Sequence, residues 1–189
     1  DIHKEIYSCA PQLRYESGDL QPSAGFFPTS SRLLGWMLGL DKLPLLKELF
    51  FSTPYHVFDL DWYSKPQYPD WLMGACIIFR KQEFLSVGGF DEKIFMYGEE
   101  VDLYMRLFAK LKKRVFFDSR VQVVHVGGTS AKLAAELKSI KYIYAKYFPS
   151  LTWFINLVIT SGVILRIIIF SLIPSRRGRV IEYKSFLKS

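Results

Sequence analysis

Hydrophobic positions recur along this chain with two different periods. Residues 7–15, YSCAPQLRY, read as a short strand closed by the turn ESGD. The run WLMGACIIFRK at 71–81 is apolar almost throughout, contains Gly74 and ends in two cations, which predicts a buried strand. RVFFD (114–118) and VQVVHV (121–126) predict two more strands, with Gly127–Gly128 after them. Between these strands the period lengthens. KQEFLSVGGF (81–90) predicts a short helix closed by Gly88–Gly89. Residues 99–111 predict a longer one, with Val101, Tyr104, Met105, Phe108 and Leu111 along one side. Residues 32–51 predict a Leu-rich helix interrupted near Pro44. Residues 22–31 predict loop, and 52–70, with three prolines, an irregular segment long enough to suggest a functional role. Strands alternating with helices predict an α/β fold.

The pattern changes again near residue 131. In 131–148 a helix puts Leu133, Leu137, Ile140, Ile143, Tyr144 and Tyr147 on one side, and Lys132, Lys138, Lys141 and Lys146 on the other. Residues 151–173 are nearly uncharged and as a helix would reach about 34 Å, enough to cross a bilayer. Arg166 and Asn156 lie inside that run, Arg176, Arg177 and Arg179 follow it, and both flanks are basic, so the positive-inside rule gives no crossing direction. A hydrophobic helix lying in or dipping into the cytoplasmic leaflet fits better. The expected division is therefore 1–130 as the α/β part, 131–175 as membrane-associated helices and 176–189 as a basic tail.

Charge sharpens this division. The net charge is +7, but residues 1–129 hold 15 Lys/Arg against 16 Asp/Glu, while 130–189 hold 10 Lys/Arg and only Glu136 and Glu182. Basic and apolar together point to an anionic membrane surface, at the cytoplasmic face of the cell membrane. No nucleic-acid recognition motif is present, so no nucleic-acid partner is expected. With 50% hydrophobic and 16% aromatic residues, disorder is excluded as the general state of the chain. Two cysteines, Cys9 and Cys76, make no disulfide framework and no zinc spacing.

The stretch FMYGEEVDLYMR (95–106) concentrates Glu99, Glu100 and Asp102 among aromatic and aliphatic neighbours. A plain helix explains much of it. Acids in a first turn are stabilised by the macrodipole, and Asp102 reaches Arg106 at i+4. A carboxylate held against apolar walls also gains proton affinity and can act as a general base. Trp71 reads either as a core residue or as a platform for a sugar face, with Gly74 and Ala75 leaving room beside it. His125, at a strand end, reads as an ordinary hydrogen-bonded histidine.

The order WLMGAC, FLSVGGFDEKIFMYGEEVDLYMR, VVHVGG resembles the second half of the family 2 glycosyltransferases of the GT-A (Rossmann-like) fold, especially the rhamnosyltransferase-like enzymes of bacterial surface polysaccharide synthesis. The likeness runs from about residue 8 to 130 and is dense from 70 to 128. It implies an inverting transferase that moves a sugar, with rhamnose in view, from a nucleotide-diphosphate donor to a saccharide or lipid-linked acceptor at the bacterial inner membrane. The family's Glu-Asp pair falls on Glu99 and Glu100, which makes Glu100 the implied base, although Glu stands where the family has Asp. Asp102 and Arg106 match its trailing Asp and Arg, with Arg106 and Trp71, Gly74 and Ala75 on the substrate side. His125 would complete the site of a divalent metal, Mg or Mn, held largely by residues upstream of this chain. Asp59-Leu60-Asp61 has the Asp-x-Asp look of such a metal site but lies in the wrong place and reads as a decoy. The nucleotide-binding half is expected upstream of Asp1, and without it this stretch is expected to be inactive. The competing expectation is a non-catalytic, membrane-associated interaction module.

Overall fold

In the computed structural model, residues 5–46, 53–126 and 132–188 are described. The Gly127–Gly128 pair and the end of the helix expected over 32–51 lie outside them. The chain divides into two compact units, one of Asp1–Phe27 and Thr53–Gly127, the other of Pro28–Ser52 and Gly128–Ser189. Residues 28–52 thus belong with the C-terminal helices, a grouping between distant segments that no local pattern announces.

The first unit is built on a three-stranded sheet. Strand β1 (Ile6–Arg14) is central, parallel to β5 (Arg114–Val124) and antiparallel to β4 (Ile78–Phe79). Two short strands, β2 (Ala24–Gly25) and β3 (Trp71–Leu72), form a separate antiparallel pair. The apolar run 71–81 is therefore not one buried strand. It is β3, an exposed turn at Gly74 and Ala75, and β4, each strand end serving a different sheet. The two strands expected at 114–118 and 121–126 are one bulged strand. Its partner register jumps from Pro11↔Asp118 to Gln12↔Gln122, and the displaced residues carry an Arg120–Asp118 ion pair (Nε to Oδ1, 2.8 Å).

Helix α2 (Lys81–Ser86) ends as expected on Gly88 and Gly89, both with positive φ. Helix α3 spans Glu99–Leu111, the expected bounds, but its buried stripe differs. Leu103, Tyr104 and Leu107 are fully buried, while Phe108 is exposed. Glu100 lies one turn before Leu103 and Tyr104 on that same stripe, so helical periodicity alone carries it into the interior.

The irregular segment is pinned by one phenol. Tyr63, in the 3-10 turn Leu60–Ser64, accepts from the N–H groups of Ser23 (2.9 Å) and Ala24 (3.1 Å) and donates to the Val57 carbonyl (2.9 Å). Burial pushes its pKa up to about 12, so it stays neutral. Asp59 caps this turn, accepting from the Asp61 N–H at 3.2 Å.

The second unit is helical: α1 (Ser30–Leu38), α4 (Lys132–Tyr147), α5 (Thr152–Leu172) and α6 (Arg177–Leu187), the last in a stretch expected to be tail. Thr29 caps α1 by accepting from the Arg32 N–H at 3.3 Å. Gly39, in the left-handed region, ends α1, so the interruption comes before Pro44. Leu137, Ile140, Ile143 and Tyr144 of α4 are buried, and the Tyr144 hydroxyl bonds the Pro28 carbonyl. Gly162 lets α5 approach α1 closely: a Cβ there would stand 2.7 Å from Met37 Cβ and 2.9 Å from the Met37 carbonyl oxygen.

Two stability measurements check this packing. Tyr63→Phe strands two buried N–H donors and should cost about 2–4 kcal/mol, read as a lower urea midpoint with unchanged m-value. Gly162→Ala should cost about 1–3 kcal/mol, because the carbonyl it meets cannot move aside as a side-chain end could. A neutral Gly162→Ala would mean that the two helices do not pack this closely.

Candidate active site

The acidic helix start is shaped by the backbone before it. Tyr97 (φ 64°) and Gly98 (φ 109°) both take left-handed conformations, which turn the chain sharply into α3. Gly98 offers no side chain to cap the helix. Glu100 supplies the missing acceptor: its Oε2 takes the Gly98 N–H at 3.1 Å, while the Asp102 N–H reaches the Gly98 carbonyl at 3.1 Å.

Glu100 is 8% exposed. Burial, and after it the negative charge of Glu99, push its carboxyl pKa up to about 8, against the smaller opposing pull of the backbone N–H groups of Glu100 and Gly98. Glu99 is half-buried, and its Oε2 has no hydrogen-bond partner among the described residues. Gly74 faces it. A Cβ built on Gly74 would sit 3.7 Å from Glu99 Oε1, so the exposed Gly74–Ala75 turn and the acid pair form one small polar edge.

Asp102 and Arg106 work beneath this edge. Asp102 is fully buried, and its Oδ2 accepts from Arg106 Nε at 2.8 Å. Arg106 Nη1 donates to the Val87 carbonyl at the end of α2. These contacts tie α3 to α2, so the two residues position the helix that carries Glu99 and Glu100.

Trp71 corrects the platform expectation. It is 3% exposed, its ring centroid lies 5.6 Å from Tyr55 and 5.3 Å from His56, and its Nε1 donates to the Phe26 carbonyl at 3.2 Å. Both the ring and its N–H are consumed by the core, so no sugar can stack on it. Phe95, four residues before Glu99, is 91% exposed, next to the exposed Met96.

His125 sits at the end of β5. Its N–H donates to the Arg14 carbonyl at 2.9 Å, and its Nδ1 lies 3.1 Å from Oε1 of the buried Gln21. Gln21, which sequence reasoning passed over, thus orients the His125 ring. The ring bonds to Gln21 and not to Glu99 or Glu100. Among the described residues no group of three or more His, Cys, Asp or Glu stands close enough to hold a metal ion. One imidazole is too small a donor set for Mg or Mn, so these residues do not make that site. A cavity of about 900 Å³ lies along the three-stranded sheet, lined by residues such as Ile6, Cys9, Cys76 and Phe116, and includes none of the expected site residues.

The burial of Glu100 has a thermodynamic consequence. Its folded pKa stands above the unfolded carboxylate value, so the folded state gains by holding the proton. That stability is fully present below about pH 4.5 and is lost as pH rises through about 8. Unfolding free energies from urea titrations across this range should fall with pH in the parent, by an amount on the order of a few kcal/mol, and much less in Glu100→Gln. Parallel profiles for the two proteins would show that Glu100 is not buried as described.

No family model matches the chain, and no solved structure matches it. Curated relatives do. The chain is 38% identical over 97 residues, 51% of its length, to N-acetylglucosaminyl-diphospho-decaprenol L-rhamnosyltransferase of Mycobacterium tuberculosis (strain H37Rv), covering 30% of that protein. It is 33% identical over 82 residues to rhamnosyltransferase WbbL of Escherichia coli (strain K12), 43% of this chain and 26% of the relative. It is 34% identical over 83 residues to the O-antigen biosynthesis protein RfbC of Myxococcus xanthus, 42% of this chain and 6% of the relative. The chain spans less than a third of the length of each of these relatives. Over about half its length, then, this sequence is rhamnosyltransferase-like, similar to two rhamnosyltransferases and to an O-antigen biosynthesis protein.

Proposed function

We propose that this chain contributes the acceptor side of an inverting sugar transfer, with Glu100 as the general base. The donor would be a nucleotide-diphosphate sugar, and rhamnose is the sugar that the relatives' names suggest. The acceptor would be a saccharide or a lipid-linked saccharide, the latter in keeping with the decaprenol-linked acceptor named for the mycobacterial relative. The observation that carries the proposal is a buried carboxylate whose proton affinity is raised to near neutrality, beside a Glu99 that packs against the exposed Gly74 turn.

The chemistry balances simply. The acceptor hydroxyl gives its proton to the Glu100 carboxylate as its oxygen forms a bond to the anomeric carbon. The bond from that carbon to the diphosphate oxygen breaks on the opposite face, and the nucleoside diphosphate leaves with the electron pair. Glu99 keeps the base strong by repulsion, since a second negative charge nearby favours taking up a proton. Asp102 and Arg106 hold α3 against α2 and so fix where the base points. Glycoside hydrolysis fits less well, because its two carboxyls flank the bond from opposite sides, whereas these are neighbours on one helix. The divalent metal that the family resemblance implies would take its ligands from residues outside this chain, and no step here runs through it.

A second reading rests on a specific contact. The bond from the Gly98 N–H to Glu100 Oε2 is also what a helix-capping acid makes. If capping is its whole role, Glu100→Gln, which keeps an acceptor oxygen for that N–H, should leave turnover nearly unchanged.

The deciding assay is sugar transfer by the full-length gene product, parent against Glu100→Gln, at pH values on both sides of 8. As base, Glu100 should give a rate that rises with pH up to about 8, and the Gln variant should lose about 10²–10⁴-fold in kcat with folding intact. Equal turnover in a folded Glu100→Gln protein would leave capping as the account of this residue.

A further inference from the structure

One face of α5 is exposed among the described residues. Its buried side, with Ile155, Val158, Ile159, Gly162 and Val163, packs within the helical unit. Its other side carries Trp153, Leu157, Ser161, Ile164, Ile168 and Leu172, spaced by three or four residues and all exposed, with Ser161 the only polar member. Trp153 is 69% and Leu172 78% exposed, and the stripe between them runs about 28 Å. By length and composition alone, Pro149–Leu172 could cross a bilayer.

The packing argues against crossing. Arg166, opposite the stripe, bonds the Trp36 carbonyl and lies 5.2 Å from the Trp36 ring and 5.9 Å from the Tyr183 ring. Tyr183 belongs to α6, and its ring is 5.8 Å from Phe170. Helix α6 therefore folds back beside the second half of α5. It brings exposed cations with it: Arg177, Lys184 and Lys188 share one face around the exposed Ile181, with Arg176 at the helix start. A spanning α5 would drag these charges to the depth of the hydrocarbon, where cations are among the costliest residues to insert.

We infer that the helical unit is an in-plane membrane-docking module whose partner is an anionic phospholipid leaflet. The α5 stripe enters the acyl boundary with Trp153 at the interface, and the α6 cations take the lipid phosphates. Charge complementarity selects this occupant: residues 130–189 hold 10 Lys/Arg against two Glu, an excess that a second copy of the chain would repel. The inference stands on the helical unit alone and does not depend on sugar transfer.

Vesicle flotation tests it without any reaction. The protein should float with phosphatidylcholine vesicles containing about 30% phosphatidylglycerol and much less with pure phosphatidylcholine, and salt should weaken the binding. The pair Arg177→Glu and Lys184→Glu, both exposed, should weaken binding about tenfold or more. Leu157→Asp with Ile164→Asp should abolish it, with circular dichroism confirming the fold of each variant. Alkaline carbonate should strip the parent from membranes. A folded parent that stays in solution beside anionic vesicles overturns the inference. So does resistance to carbonate, which would mean a spanning helix. So does a dimer that the stripe variant dissociates, which would mean that a second copy covers the face.

Discussion

A carboxylate taken out of water must find compensation, and the arrangement around Glu100 turns on that requirement. Helical periodicity puts Glu100 on the stripe of Leu103, Tyr104 and Leu107, so folding α3 onto the unit buries the acid with them. Only the first turn of a helix could tolerate it there, because that is where backbone N–H groups stand unpaired. The left-handed pair Tyr97–Gly98 brings one such N–H within 3.1 Å of Oε2. The compensation is incomplete, since Glu99 adds a like charge next door, and what remains appears as a proton held to unusually high pH. The same imbalance makes Glu100 a cost to stability above its pKa and is the ground on which it is proposed as the base.

Asp102, in the same first turn, is held differently. Asp102 is as deeply buried as any residue of the unit, but its charge is matched by Arg106, whose other arm reaches the end of α2. A buried charge with a full partner is held in place, whereas one with an incomplete partner shifts its proton affinity. That difference separates two carboxylates two residues apart in sequence. His125 is further along the unit's sheet, with its ring turned to Gln21, so its orientation comes from the pairing of β1 with β5 rather than from α3.

In the helical unit the decisive side chain is Arg166. A cation in the middle of an apolar helix is either a liability or a contact, and here the Trp36 carbonyl, the Trp36 ring and the Tyr183 ring make it a contact. Its partners come from α1 and α6, helices on either side of it in sequence. Satisfying one guanidinium therefore gathers three helices and leaves the opposite stripe of α5 bare.

Periodicity and turn chemistry in the sequence were enough to place β1, α2, α3, α4 and α5, because amphipathic stripes and glycine stops act within a few residues. The same local logic marked the acids and the resemblance they carry. It failed where a residue's neighbour is far away in the chain. The run 71–81 looks like one strand until β2 and β1 each claim an end of it. Trp71 looks available until Tyr55 and His56 close over it, and the α6 stretch looks like a charged tail until Tyr183 finds Arg166. The sequence named the acids by itself; which of them lacks a full partner was decided only when the chain closed around them, because desolvation depends on every wall of a site and not on the residues beside it.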